Sequence, residues 1–190
     1  MNTCRRAPGL VWLLALLTTA CTGFRAVGRD VYRCPQPRED QLARTIEAYD
    51  IRTIVSLRND GKGTASSARA ADGAGISFLN VPMSATHLPK PETLLALWRI
   101  AATAERPMLL HCRAGVDRTG LACALCVLHD TGDLAAARAQ LAMVPNGHLG
   151  MFGTEKMDEV LDSFAPYAGQ LAFPDWVRDV YSTQFATETR

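Results

Sequence analysis

The sequence has 190 residues, enough for one compact domain and too few for two ordinary ones. Hydrophobic residues make up 48% and charged residues 21% of the chain, close to the globular average, which excludes a disordered or fibrous protein. The formal net charge of +1 argues against nucleic-acid binding through bulk positive charge. Six cysteines in a chain of this length do not make a disulfide scaffold.

Residues 1–20 are expected to be a secretory signal peptide. Two arginines precede an apolar stretch at residues 10–17, which is shorter than the roughly 20 residues needed to span a bilayer. The segment ends in LTTAC at residues 17–21, which resembles the lipobox of bacterial lipoproteins, with cleavage before Cys21 and a lipid on its sulfur. A plain signal peptide or an uncleaved anchor is the alternative. We therefore expect an exported protein, anchored to a membrane and facing the periplasm or the cell exterior.

Short β-rich runs alternate with helical patterns in the rest of the chain, where residues 21–30 are expected to be a tether and residues 31–190 one domain. Strands are predicted at residues 31–33, 51–57, 76–81 and 107–111. Helices are predicted at residues 39–49, 66–74 and 91–104, then after Thr119 and near Asp133, Glu155 and Asp175. This alternation predicts an α/β fold with a central, mainly parallel sheet of about four to five strands, flanked by helices.

Parallel sheets of this kind bind ligands at the carboxyl ends of their strands, which directs attention to the segment after the last predicted strand. It reads HCRAGVDRTG at residues 111–120 and leads into a very apolar helix. A tight turn of this length can aim successive backbone N–H groups into one concavity, and the helix that follows adds its positive end. Gly115 permits a backbone conformation that a side chain would obstruct. Arg118 can offer two parallel donors to a phosphate.

Cys112 stands at the mouth of this predicted anion site. A free thiol is mostly protonated at neutral pH, whereas a thiol beside a helix start and a cation is ionised. We therefore expect a thiolate aimed at a bound phosphate, which is the arrangement needed for phosphoryl transfer through a phosphocysteine.

The segment resembles the HCxxGxxR[ST]G signature of the cysteine-dependent protein tyrosine and dual-specificity phosphatases. The wider chain is similar to their compact bacterial dual-specificity-like branch, since YRCPQP at residues 32–37, IRTIVSLR at residues 51–58 and FLNVP at residues 78–82 match its landmarks in order. The likeness covers residues 31–185. It implies the phosphatase fold, with a phosphate-binding loop between a strand and a helix.

The resemblance also implies a role for each position of the loop. Cys112 is the nucleophile, and Arg118 binds the phosphate and stabilises the transition state. Thr119 is expected to hydrogen-bond the Cys112 sulfur and ease its departure, while His111 shapes the loop without acting as a base. The phosphate oxygens are bound by the backbone amides of Arg113, Ala114, Gly115, Val116, Asp117 and Arg118.

Family members usually donate a proton to the leaving oxygen from an Asp on an upstream loop. This sequence departs from the pattern, because no Asp lies between Gly73 and His111. Asp117 is the leading substitute, since a related Cys-x4-Asp-Arg arrangement occurs in phosphoinositide phosphatases. The alternative is that Asp117 pairs with a neighbouring cation or caps the helix. His87 and Asp60 are the other candidates for the general acid.

The remaining cysteines and one glycine-rich turn are given structural roles. Cys123 and Cys126 form a C-x-x-C inside an apolar helix and are expected to be core residues that bind no metal. One of them, or Cys34, could protect an oxidised Cys112 as a reversible disulfide. The turn at residues 147–150 is expected to be a structural loop.

These inferences predict a phosphatase that hydrolyses phosphate monoesters through a phosphocysteine intermediate, without a metal or a cofactor. Its substrate is a protein carrying phosphotyrosine, phosphoserine or phosphothreonine, or else a phosphoinositide or inositol phosphate, and the Asp117-Arg118 pair favours the latter group. A phosphate-binding module without turnover and a rhodanese-type sulfurtransferase are the rival functions. No nucleic-acid partner is expected.

Overall fold

The computed structural model describes residues 23–188, so the predicted signal peptide and Cys21 lie outside the described residues. A five-stranded sheet with the order β1-β2-β5-β3-β4 forms the centre of the fold. The strands are β1 (Arg25–Gly28), β2 (Val31–Cys34), β3 (Thr53–Ser56), β4 (Ser77–Asn80) and β5 (Met108–His111). Strand β1 runs antiparallel to β2, and all other neighbours are parallel. The predicted α/β fold with a mainly parallel sheet is confirmed.

Helices follow the strands in the predicted order. They are α1 (Glu39–Tyr49), α2 (Lys62–Ala74), α3 (Pro91–Thr103), α4 (Asp117–Thr131), α5 (Leu134–Arg138), α6 (Met143–Asn146), α7 (Lys156–Phe164), α8 (Phe173–Trp176) and α9 (Ser182–Glu188). Helix α2 begins earlier than predicted because the Thr64 hydroxyl donates to the Asn59 carbonyl and the Ala65 amide donates to the Gly61 carbonyl, which fixes the glycine-rich segment as a first helical turn.

Side chains that alternate along the strands divide the core into two layers. Ile54 and Leu109 lie in the smaller layer, under α1 and α2. Val55 and Leu110 point the other way, into the larger layer, where they meet α3, α4 and the C-terminal helices. All four side chains are almost fully buried. The sheet is therefore covered on both faces, as a parallel sheet requires.

The tether predicted for residues 21–30 is wrong in its second half, because Arg25–Gly28 forms the edge strand β1. The ring of Phe24 lies 4.9 Å from that of Tyr32 and 4.3 Å from that of Tyr49, measured between centroids. These partners are distant in sequence, so a local pattern gave no sign that the segment belongs to the domain. The domain therefore begins before residue 31.

The parallel strands bring three chain segments together at one edge of the sheet. His111, the last residue of β5, lies opposite Cys34 of β2 and Ser56 of β3. The segments that leave these strands are hydrogen-bonded to one another, with Leu57 N donating to the His111 carbonyl at 2.9 Å and Gln36 N donating to the Arg113 carbonyl at 3.1 Å. The sequence 111–120 therefore turns between two neighbours that hold it on either side.

Candidate active site

Strand β5 delivers Cys112 to the carboxyl edge of the sheet, where the residue is buried. The Gly115 amide donates to Cys112 Sγ across 3.2 Å. Helix α4 begins at Asp117, so its positive end lies within the same loop. The sulfur thus lies beside a backbone N–H donor and the first turn of a helix, where an anion can also be bound.

The loop can close this tightly because position 115 is a glycine. Gly115 has a φ of +72°, and a Cβ atom there would lie 2.5 Å from both the carbonyl carbon of Cys34 and the nitrogen of Pro35. Both atoms belong to the main chain and have little freedom to shift. The expectation that only glycine fits here is confirmed.

Arg33, a buried residue of the YRCPQP segment, fixes the orientation of the loop. The guanidinium of Arg33 donates to the Gly115 carbonyl at 2.9 Å and to the Val116 and Gln140 carbonyls at 3.0 Å each. Because the peptide group is planar and trans, a carbonyl that points toward Arg33 turns the following N–H the opposite way. Arg33 therefore directs the amides of Val116 and Asp117 away from itself.

Arg118 reaches from α4 across the loop to two neighbouring segments. Its Nη1 atom lies 3.4 Å from the carbonyl oxygens of Leu57 and Met83. Its Nε–H is buried and finds no hydrogen-bond acceptor among residues 23–188. A buried guanidinium donor without an acceptor is costly, and a bound phosphate oxygen would satisfy it.

His111 and Thr119 lie close to Cys112 in sequence, and the expectation for Thr119 is not met. Burial lowers the pKa of His111 to about 4, so its imidazole is neutral and does not carry a loop charge. The hydrogen bond expected from Thr119 to Cys112 Sγ is not formed, because the Thr119 hydroxyl is buried and has no partner in the part of the chain that is described. The sulfur accepts the Gly115 amide instead.

Asp117 is held by a residue from the turn that the sequence reading treated as purely structural. His148 Nδ1 lies 2.8 Å from Asp117 Oδ1, and His148 Nε2 lies 2.7 Å from Asp158 Oδ2 on α7. Burial alone would lower the pKa of His148, but the hydrogen bonds and charges of the two carboxylates outweigh it and raise this pKa. Asp117 thus pairs with His148, which agrees with the alternative to its role as general acid.

The other two candidates for the general acid lie on different segments. His87 is exposed and its Nδ1 atom lies 3.0 Å from the Ser84 hydroxyl. Asp60 accepts a hydrogen bond from the Asn80 side-chain amide at 3.3 Å. His87 lines a groove of about 580 Å³, whose wall also includes Met83, Lys90 and Lys156. Because the Met83 carbonyl touches Arg118, this groove adjoins the phosphate loop.

The cysteines at positions 34, 112, 123 and 126 are free thiols. Cys123 and Cys126 are buried in α4, and burial raises the pKa of Cys123 to about 12. Their predicted role as core residues is confirmed. Within residues 23–188, no group of three histidine, cysteine or acidic side chains is placed to hold a metal ion.

A family model described as "Polymorphic toxin system, DSP-PTPase phosphatase" matches residues 27–133. This match covers more than half of the chain and contains the whole segment 111–120. The chain belongs to this family. It is therefore a cysteine-dependent phosphatase, as the sequence predicted, and the membership favours that activity over a rhodanese-type sulfurtransferase.

Solved structures of cysteine phosphatases share the fold. The catalytic core of the PP-IP phosphatase SIW14 from S. cerevisiae aligns with a TM-score of 0.54 and 18% identity, over 90% of this chain and 94% of that one. A mutant form of Tk-PTP aligns with a TM-score of 0.61 and 22% identity, over 79% of this chain and 99% of that one. PTPMT1 aligns with a TM-score of 0.60 and 15% identity, over 78% of this chain and 99% of that one. No curated protein matches the sequence significantly.

The role of Arg33 can be tested by replacing it with lysine, which keeps the charge but loses the planar fork that holds two carbonyls. We expect Arg33→Lys to lower kcat/KM for p-nitrophenyl phosphate by about 10- to 100-fold, because small displacements of a catalytic loop cost that much. Arg52→Lys is the control, since Arg52 is an exposed arginine that pairs with Asp50. Equal activity of Arg33→Lys and the control would contradict the positioning role.

Proposed function

We propose that this phosphatase hydrolyses phosphoinositides or inositol phosphates, with Cys112 as the nucleophile. The Cys112 thiolate attacks phosphorus, so that an S–P bond forms while the P–O bond to the leaving group breaks. The backbone amides of residues 113–118 and the guanidinium of Arg118 hold the phosphate oxygens through this step. Water then attacks the phosphorus of the phosphocysteine and the S–P bond breaks. Orthophosphate leaves, and the Cys112 thiolate is regenerated.

The leaving oxygen needs a proton, and we assign the donor role to His87. Its loop follows β4, where the resembling families carry their acidic residue, and it lines the groove beside Arg118. Asp117 is less suited, because its Oδ1 atom is already engaged by His148 Nδ1 at 2.8 Å. In the second step the neutral His87 accepts a proton from the attacking water, which restores the donor.

The groove supports a substrate larger than a phosphate group alone. Lys90 and Lys156 line it at one side of the phosphate loop, and Asn59 adds a polar side chain. The ammonium group of Lys156 is 2.7 Å from Glu159, which orients it. Two cations beside an anion site suit a ring that carries more than one phosphate. The similar structure of SIW14 is described as that of a PP-IP phosphatase, which agrees with this substrate class.

The proton donor is tested by comparing leaving groups. A p-nitrophenolate leaves without protonation, whereas an alkoxide such as that of an inositol needs the acid, so His87→Gln is expected to reduce kcat about 100-fold for an inositol phosphate and less than about 5-fold for p-nitrophenyl phosphate. Asp117→Asn and Asp60→Asn are measured alongside. A selective loss for the poor leaving group in Asp117→Asn, and not in His87→Gln, would transfer the role to Asp117.

The substrate class is tested by replacing one groove cation. Lys90→Gln is expected to raise KM about 5-fold for a polyphosphorylated inositol or its lipid and to leave KM for p-nitrophenyl phosphate unchanged, because only the former places a second phosphate in the groove. Lys62→Gln, an exposed lysine outside the groove, is the matched control.

Three further outcomes separate the substrate proposal from its rivals. Preference of the wild-type enzyme for phosphopeptides would contradict the substrate class. A protein that binds orthophosphate but releases none from any monoester in EDTA, or that makes thiocyanate from thiosulfate, would contradict the phosphatase activity. Loss of all turnover in Cys112→Ser is expected.

We also propose that the enzyme is exported and attached to a membrane by a lipid on Cys21. The lipobox-like sequence at residues 17–21 supports this proposal. Gly23 and Arg25 line a small depression together with Ala114, Gly115 and Val116, so an anchor just before Gly23 would hold the phosphate loop near the lipid surface. Among the residues described, no helix is long and apolar enough to cross a membrane.

The anchor is tested by metabolic labelling with a fatty acid. The wild type is expected to incorporate the label and to fractionate with membranes, and Cys21→Ser is expected to lose both properties because the acceptor sulfur is gone. Cys4→Ser is the matched control, since Cys4 lies in the segment that cleavage removes. Labelling that survives in Cys21→Ser would contradict a lipid on this residue.

A further inference from the structure

The bridge formed by Asp117, His148 and Asp158 has no part in the proposed reaction, yet it is built into the phosphate loop. His148 comes from the turn after α6, Asp117 is the first residue of α4, and Asp158 lies on α7. The side chain of His148 is only 2% exposed, whereas those of Asp117 and Asp158 are 23% and 36% exposed. This three-residue contact, with His148 buried at its centre, ties the loop to α7.

Asp117 creates an electrostatic problem for the site. It precedes Arg118 in the loop that is proposed to bind phosphate, so its carboxylate adds a negative charge to a loop whose ligand carries up to two negative charges. Like charges repel in a poorly solvated site. Without compensation, Asp117 would weaken phosphate binding.

His148 is placed to remove that repulsion. Its Nδ1 atom lies 2.8 Å from Asp117 Oδ1 and its Nε2 atom lies 2.7 Å from Asp158 Oδ2. Only the protonated ring can donate to both carboxylates at once. The charged groups that act on the ring are these two carboxylates, one from α4 and one from α7, and together they raise the pKa of His148 against the effect of its burial. The two carboxylates therefore favour the imidazolium form of His148.

We propose that His148 is a positioning residue whose imidazolium, clamped between Asp117 and Asp158, offsets the Asp117 charge inside the phosphate loop and thereby sets the affinity of the site for phosphate. Asp158 holds the ring in place from the far side. The inference deepens the proposed function, because it concerns the same phosphate site, but it does not depend on which phosphate ester is the substrate.

The bridge gives phosphate affinity a defined pH dependence. Below the raised pKa of His148 the imidazolium compensates Asp117, and affinity is high. As the pH rises through that value, the ring loses its proton, Asp117 is left with its full charge, and affinity falls. Comparison with Asp117→Asn at each pH removes the contribution of the second ionisation of phosphate itself.

Binding of orthophosphate to the full-length protein in detergent, measured by calorimetry, tests the proposal without any turnover. We expect His148→Gln to bind orthophosphate about 10-fold more weakly at neutral pH and to raise KM for p-nitrophenyl phosphate equally, with kcat changed less than about 2-fold. Adding Asp117→Asn to His148→Gln is expected to restore the affinity, because it removes the uncompensated charge. His129→Gln, which removes a histidine that pairs with Asp130 elsewhere, is the matched control.

Two results would overturn the proposal. If the double variant binds orthophosphate as weakly as His148→Gln, or if His148→Gln lowers kcat while phosphate affinity is unchanged, the bridge is a structural tie and not a charge device. Should His148→Gln fail to fold, Asp158→Asn keeps the ring but lowers the pKa of His148, so the loss of affinity is expected at a lower pH than in the wild type. An unchanged pH midpoint in that variant would equally contradict the proposal. If the inositol phosphate assignment is wrong, the turnover assays show it. The orthophosphate binding results still test the role of His148, because they do not depend on the substrate.

Discussion

The site depends on one constraint, which is that the carbonyl groups of the phosphate loop point away from the ligand. Arg33 enforces it by drawing the Gly115 and Val116 carbonyls toward a buried guanidinium on β2. The amides that follow these carbonyls are then free to face a phosphate. Because Gly115 packs against the Cys34–Pro35 peptide, strand β2, which carries Arg33, also sets how close the loop lies to the sheet. The position of Cys112 and its loop is thus a consequence of how two parallel strands end.

Two of the arginines at the loop, Arg33 and Arg118, have different roles. Arg33 is nearly fully buried and satisfied by main-chain oxygens, so it holds the scaffold. Arg118 lies closer to solvent and retains a buried Nε–H without an acceptor among the residues described, so it is left for the ligand. A burial cost on a cation is tolerated where several charge-assisted hydrogen bonds replace its water. His148 places its ring against Asp117, the acidic residue of the loop.

Much of the fold could be predicted because its signals are local. Strands β3 and β5 lie within apolar runs of the sequence, the helix Glu39–Tyr49 has its predicted bounds, and the loop 111–120 is recognised from its residue types at fixed spacing. The edge strand Arg25–Gly28 was missed because its support comes from Tyr32 and Tyr49, across the chain. Arg33 and His148 were missed for the same reason. Each gains its meaning from a distant partner, which for His148 is Asp117, 31 residues away. The glycines on either side of His148 marked a turn, but no local pattern indicated which carboxylates it would meet.

Cys112 as a nucleophile that becomes phosphorylated is the claim on which the whole account depends, and direct trapping of the intermediate tests it most closely. Full-length enzyme is mixed with an excess of substrate and quenched in acid within the first turnovers. The protein is then digested, and the masses of the cysteine-containing peptides are measured by mass spectrometry. The expected result is one phosphoryl group on the peptide that carries Cys112 and none on those that carry Cys34, Cys123 or Cys126. Steady release of orthophosphate with no phosphorylated Cys112 at any quench time, or with the phosphoryl group on another residue, would contradict the account.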